Sequence, residues 1–113
     1  MTHRLVIRLT LTPRGFLRGF EAAGHAGDAP AGSNVACAAA TSLLRTAGKL
    51  CADRGLVSAG RAEAPGVMQM NLTGEPRGGD WLRGVTDFLL RGLSDLAREF
   101  PREIRVRMET TEV

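Results

Sequence analysis

The chain has 113 residues with 43% apolar and 24% charged, which fits one folded domain and excludes wholesale disorder, coiled coil and collagen. Its formal net charge of +3 rests almost wholly on arginine, Lys49 being the only lysine, a balance too mild to require a nucleic-acid partner. No run approaches the ~18 apolar residues of a membrane span, and the N-terminal stretch is an arginine-flanked alternation rather than a signal peptide, so a single cytoplasmic domain over residues 1–113, off the membrane, is expected.

Over residues 4 to 11, Leu5, Ile7, Leu9 and Leu11 alternate with Arg4, Arg8 and Thr10, Val6 being the exception, which predicts a half-buried strand. Thr12-Pro13-Arg14-Gly15 supplies a preset proline φ and a permissive glycine for a turn, and Phe16 to Ala22 runs back as the hairpin partner. Residues 24 to 33 carry three glycines and Pro30 but no large apolar side chain, and read as a loop. From Asn34 to about Arg54 the sequence predicts a helix, with Leu43, Leu44, Ala47, Leu50 and Cys51 at helical spacing and Gly55 ending it. A hairpin over 57–63 and Val67 to Leu72, turning at Pro65-Gly66, comes next.

Asp80 is placed to cap a second helix, in which Leu82, Val85, Phe88, Leu89, Leu93, Leu96 and Phe100 form one apolar stripe until Pro101 stops it. A last strand, Glu103 to Glu109, points Ile104, Val106 and Met108 one way and Arg105, Arg107 and Glu109 the other. The order ββαββαβ predicts an α+β fold, a mostly antiparallel sheet with both helices on one face and Arg4, Arg8, Arg105 and Arg107 on the other.

With Asn34 as N-cap, Cys37 falls in the first turn of its helix, where unpaired backbone N–H groups and the helix dipole favour a thiolate and an oxyanion. His25, twelve residues earlier, is the base that a cysteine nucleophile would need, and Thr41, one turn on, carries a hydroxyl on the same face. The alternative is that Cys37 is a small packing residue among Val35, Ala36, Ala38, Ala39 and Ala40. Gly24, Gly27 and Gly32 likewise read either as plain loop residues or as room for a peptide backbone near the thiol. Cys51, in the last turn, reads as core. The two cysteines lie ~21 Å apart along one helix, so neither a disulfide nor a metal site is expected, and no cofactor.

Gly24-His25-Ala26-Gly27, followed by Gly32-Ser33-Asn34-Val35-Ala36-Cys37-Ala38-Ala39, resembles the GHAG…GxDxxCAA pattern of the ribosomal-processing cysteine proteases, the Prp or YsxB-like family. The resemblance covers essentially the whole chain. It implies a small homodimeric α+β endopeptidase that removes a short N-terminal extension from a large-subunit ribosomal protein, its peptide substrate, with Cys37 as nucleophile and His25 as general base. Gly24, Asn34 and Thr41 fall at supporting positions, and Gly27, Asp28, Gly32 and Ser33 in the loop that would close over the peptide. Asn34 stands where the family usually has aspartate, which implies a weakened enzyme or another orienting group such as Asp28; Thr41 stands where it usually has serine. Two other readings of the residues remain: a non-catalytic ribosome-associated or RNA-binding module using the sheet arginines, and an inactive dimeric scaffold of the same fold. The scarcity of aromatic residues argues against a base-stacking RNA reader, leaving direct RNA contact undecided.

Overall fold

A computed structural model describes residues 4–24, 35–64, 67–73 and 79–112, the side chains of 61–64 excepted. Its elements run β1 (Leu5–Leu11), β2 (Leu17–Ala23), α1 (Val35–Asp53), β3 (Val57–Ala64), β4 (Val67–Leu72), α2 (Gly79–Glu99) and β5 (Ile104–Thr110), the order that the sequence predicts. The strands form one sheet in the order β3-β4-β2-β1-β5, antiparallel except where β5 lies parallel to β1.

Alternation decides which face is buried. Leu5, Ile7 and Leu9 of β1, Phe20 and Ala22 of β2, Met70 and Leu72 of β4 and Ile104 of β5 share one core with Ala36, Ala40, Leu44, Ala47 and Cys51 of α1 and Leu82, Leu89 and Leu93 of α2. Both helices therefore cover the same face. The other face presents Arg8, Glu21, Arg105 and Arg107 to solvent.

The turn between β1 and β2 is closed by backbone bonds from Thr12 N to Phe16 O (2.8 Å) and from Gly15 N to Thr12 O (2.8 Å), with Gly15 at φ +85°. The pairing slips between Thr10 and Leu11, so that Leu11 faces Leu17 and Arg18 is the extra residue of a bulge. The bulge takes the Leu17 N–H out of the ladder. That N–H instead donates to the Thr86 hydroxyl at 3.0 Å, and Thr86 donates to Leu82 O at 2.7 Å, a buried polar link between sheet and α2.

Helix α1 ends as its glycine predicts. Leu56 N reaches Cys51 O (3.0 Å) and Gly55 N reaches Ala52 O (2.9 Å), the two bonds of a Schellman motif, with Gly55 at φ +69° and Leu56 turned into the core.

Three side chains depart from the expected stripes, the first being Leu50 of α1, which is 44% exposed. Phe88 is 69% exposed, because it stands roughly 120° around α2 from the line of Leu82, Leu89 and Leu93, while Thr86 occupies the interior position. Met108 is exposed near the end of β5, an edge strand with no further strand beyond it among the described residues.

Candidate active site

Cys37 is the third residue of α1, half-buried at the margin of the core and not bridged to Cys51. In the first turn of a 19-residue helix, the backbone N–H groups have no intrahelical acceptor and point towards whatever lies beyond the helix start. Thr41, one turn later, is half-buried on the same flank.

The contacts of α1 fix where that flank points. Leu43 touches α2, since a Cβ on Gly92 would come within 2.9 Å of its Cδ1. Gly48 lies over the sheet, where its own Cβ would meet Met70 Sδ at 3.2 Å and Phe20 Cζ at 3.7 Å. Eleven residues separate Cys37 from Gly48, three helical turns, so the two share a flank that faces β4 and turns away from α2.

From the contact of Gly48 with Phe20 and Met70, the elements run to a common end. Helix α1 goes back ~16 Å to Cys37, while β2 goes on ~10 Å to Ala23, and β4 the same distance back to Val67, its partner. At this end Gly24 leaves β2 at φ +99°, and a Cβ there would lie 2.5 Å from Arg4 O, so the position admits no side chain. The next residue is His25. His25 and Asn34, with the loop residues Gly27, Asp28, Gly32 and Ser33, lie outside the described residues. Of the residues singled out from sequence, the fold thus places Cys37, Thr41 and Gly24 at one end of the molecule.

Two exposed apolar side chains stand at this end as well. Val35 opens α1 at 73% exposure and Val67 opens β4 at 44%, both beside the Cys37 end of the fold.

The two thiols sit in different surroundings. Cys51 is fully buried in the core, and burial raises its pKa from the ordinary value. On the open sheet face Arg8 pairs with Glu109 at 3.4 Å and lies opposite Glu21, so acidic groups interrupt the arginines there. Among the described residues no three His, Cys, Asp or Glu side chains cluster as metal ligands, and no helix is long and apolar enough to cross a membrane.

Solved structures with the same fold include SMU.848 from Streptococcus mutans, at TM-score 0.75 and 22% identity over 96% of each chain. They also include the essential ribosomal processing protease Prp from S. aureus with a covalently linked product peptide, at TM-score 0.76 and 18% identity over 93% of this chain and 99% of that one. The same protease with a substrate peptide gives TM-score 0.73 at 15% identity over 93% and 99%. No curated protein sequence matches significantly. The family model described as cysteine protease Prp matches residues 5–105, from the first residue of β1 into β5 and across the Cys37 region. This chain belongs to the Prp family of cysteine proteases.

Proposed function

We propose that the chain is an endopeptidase that removes a short N-terminal extension from a large-subunit ribosomal protein, with Cys37 as nucleophile and His25 as general base. One observation carries the reading: in a chain of this family, Cys37 is half-buried in the first turn of α1, while the other thiol, Cys51, is sealed in the core. Ribosomal processing is what the S. aureus relatives are named for, and both of those structures hold a peptide. The reaction belongs in the cytoplasm, where thiols stay reduced.

The chemistry is acyl transfer. The Cys37 sulfur, its proton taken by His25, attacks the scissile carbonyl carbon, and the carbonyl oxygen becomes an oxyanion facing the N–H groups of the first turn of α1. As the C–N bond breaks, His25 gives its proton to the leaving amine, and the peptide's N-terminal part is held as a thioester. Water, losing a proton to His25, then attacks the thioester carbonyl, releasing the carboxylate product and the thiol. Asn34, at the position where the family usually carries aspartate, offers no negative charge to stabilise an imidazolium, so the enzyme is slower than an aspartate-bearing form.

The test is cleavage of the host ribosomal protein bearing its N-terminal extension. Cys37→Ala and His25→Ala each abolish cleavage with wild-type circular dichroism, Cys51→Ala cleaves normally, and Asn34→Asp cleaves faster. Full cleavage by Cys37→Ala, or wild-type protein inert on every extended substrate, refutes the proposal.

A further inference from the structure

The parallel register of β5 on β1 sets Arg107 directly beside Arg8 on the open face of the sheet, with Arg105 ~7 Å along β5 and Arg4 just before β1. All four side chains are exposed. Like charges side by side on neighbouring strands destabilise a sheet. The acidic side chains described on the strands of this face, Glu21 and Glu109, both flank Arg8, Glu21 as its cross-strand neighbour and Glu109 in the pair at 3.4 Å. Arg4, Arg105 and Arg107 make no ion pair or hydrogen bond among the described residues. The fold thus carries an arginine cluster that it does not neutralise, spread over ~13 Å along β1 and β5.

Three strand spacings from Arg107, ~14 Å across the same face, β4 presents Gln69 and Asn71. Their amides make no hydrogen bond among the described residues, and they stand beside a recess of about 240 Å³ lined with Ala59 and Gly60. All five aromatic side chains lie on the helix side of the sheet, Phe16, Phe20, Trp81 and Phe100 in or against the core and Phe88 on α2. The open face therefore offers guanidinium groups and amides, with no ring on which an unpaired base could stack.

We propose that this face binds the backbone of duplex RNA. Each guanidinium presents a fork of donors that matches a phosphate. A flat face without rings suits the wide, shallow minor groove of an RNA helix, where phosphates and 2′-hydroxyls are what a protein reaches. The arginines of β1 and β5 take the phosphates, and Gln69 and Asn71 take 2′-hydroxyls across the groove. An acidic protein segment would pair with the same arginines but gives the two amides no row of hydroxyls. Both helices lie on the other face, so bound RNA leaves the Cys37 flank of α1 uncovered, and the proposal does not rest on the protease reading.

Fluorescence anisotropy of the full chain with a labelled RNA duplex tests the proposal, with a DNA duplex of the same sequence and poly-glutamate as competitors. RNA binds, and a fourfold rise in salt weakens it about 40-fold, the slope of ~0.9 per phosphate for three contacts. Arg107→Gln lowers that slope by ~1. Arg105→Glu with Arg107→Glu abolishes binding with unchanged circular dichroism, both side chains being on the surface. Arg45→Glu with Lys49→Glu, the same charge change on exposed positions of α1, leaves binding largely intact. Asn71→Ala brings the affinity for RNA down to that for DNA. Absence of binding at low salt overturns the proposal, and so does equal loss in the α1 variant, which would reduce the effect to net charge. Competition by poly-glutamate or by DNA as strong as that by RNA overturns it as well. Cleavage by the same preparations keeps the two readings apart, since a chain that cleaves without binding RNA refutes only this proposal, and one that binds RNA without cleaving refutes only the protease.

Discussion

Gly24→Ala tests whether the end of β2 is built on a close backbone approach. Two costs add. An L-residue held at φ +99° carries strain of ~1–3 kcal/mol, and the new Cβ would stand 2.5 Å from Arg4 O, inside any contact a real side chain makes. Arg4 cannot retreat cheaply, because the following N–H, that of Leu5, donates to Glu103 O at 2.8 Å where β1 meets β5. Overpacking against such a neighbour adds ~1–3 kcal/mol, for a total of ~2–6 kcal/mol. Gly55→Ala is the control: it has φ +69° with nothing within 4 Å of its Cβ position, so it pays only the conformational cost, ~1–2 kcal/mol. Urea denaturation with a common slope reads both, Gly24→Ala being the less stable by the ~1–3 kcal/mol of overpacking. Because the next residue is His25, Gly24→Ala also loses peptide cleavage under conditions where it remains folded, while Gly55→Ala retains it. Equal midpoints for the two variants refute the close-approach argument, and full cleavage by Gly24→Ala refutes its link to the site.

Thr86→Val keeps the shape but leaves the buried Leu17 N–H without its acceptor, and lowers the unfolding free energy read by urea denaturation by ~1–3 kcal/mol; Thr86→Ser, which keeps the hydroxyl, loses ~1 kcal/mol with its methyl. In folded protein iodoacetamide labels Cys37 and spares Cys51, which reacts only after urea is added; mass spectrometry of the digested chain reads the two sites. Burial raises the Cys51 pKa in the folded state alone, so the unfolded chain releases its proton first and stability falls as pH rises through the ordinary thiol value near 9.0; Cys51→Ala removes that contribution from the pH profile. Ala40→Leu overpacks a fully buried position one turn from Cys37, costing ~1–3 kcal/mol and reducing cleavage more than the same destabilisation introduced at Thr86.

The elements were legible because each has a strong local pattern. Leu5, Ile7 and Leu9 alternate strictly, and Gly55 supplies the left-handed residue that the end of α1 needs. What escaped is non-local. Nothing near Leu17 announces that a bulge will strip its N–H of a partner, and the threonine that repairs it is 69 residues away. Helical spacing grouped Phe88 with the core because three- and four-residue steps define a wide stripe, and only the position of α1 decides which edge of that stripe is covered. For the site, the glycine, histidine and cysteine were legible as a motif, whereas the shared end of α1, β2 and β4 needed the sheet order.

Helix α1 has three tasks, and its composition reflects them. The buried line of α1, Ala36, Ala40, Leu44, Ala47 and Cys51, has one large side chain among small ones, and Gly48 beside Met70 has none, so the helix packs closely on the sheet. A close axis brings Cys37 down to the level of the strand ends instead of leaving it raised in solvent, which accounts for its half-buried state in the first turn. Apart from Leu44, the large side chains of α1 lie on the opposite flank, where Leu43 reaches α2 and Leu50 lines an apolar pocket with Trp81 and Phe88. Glycine costs a helix interior ~1 kcal/mol relative to alanine, and the close packing over Phe20 and Met70 is what offsets it at position 48. The small-residue line and the accessible thiol are therefore one arrangement: enlarging the first raises the helix and moves the second.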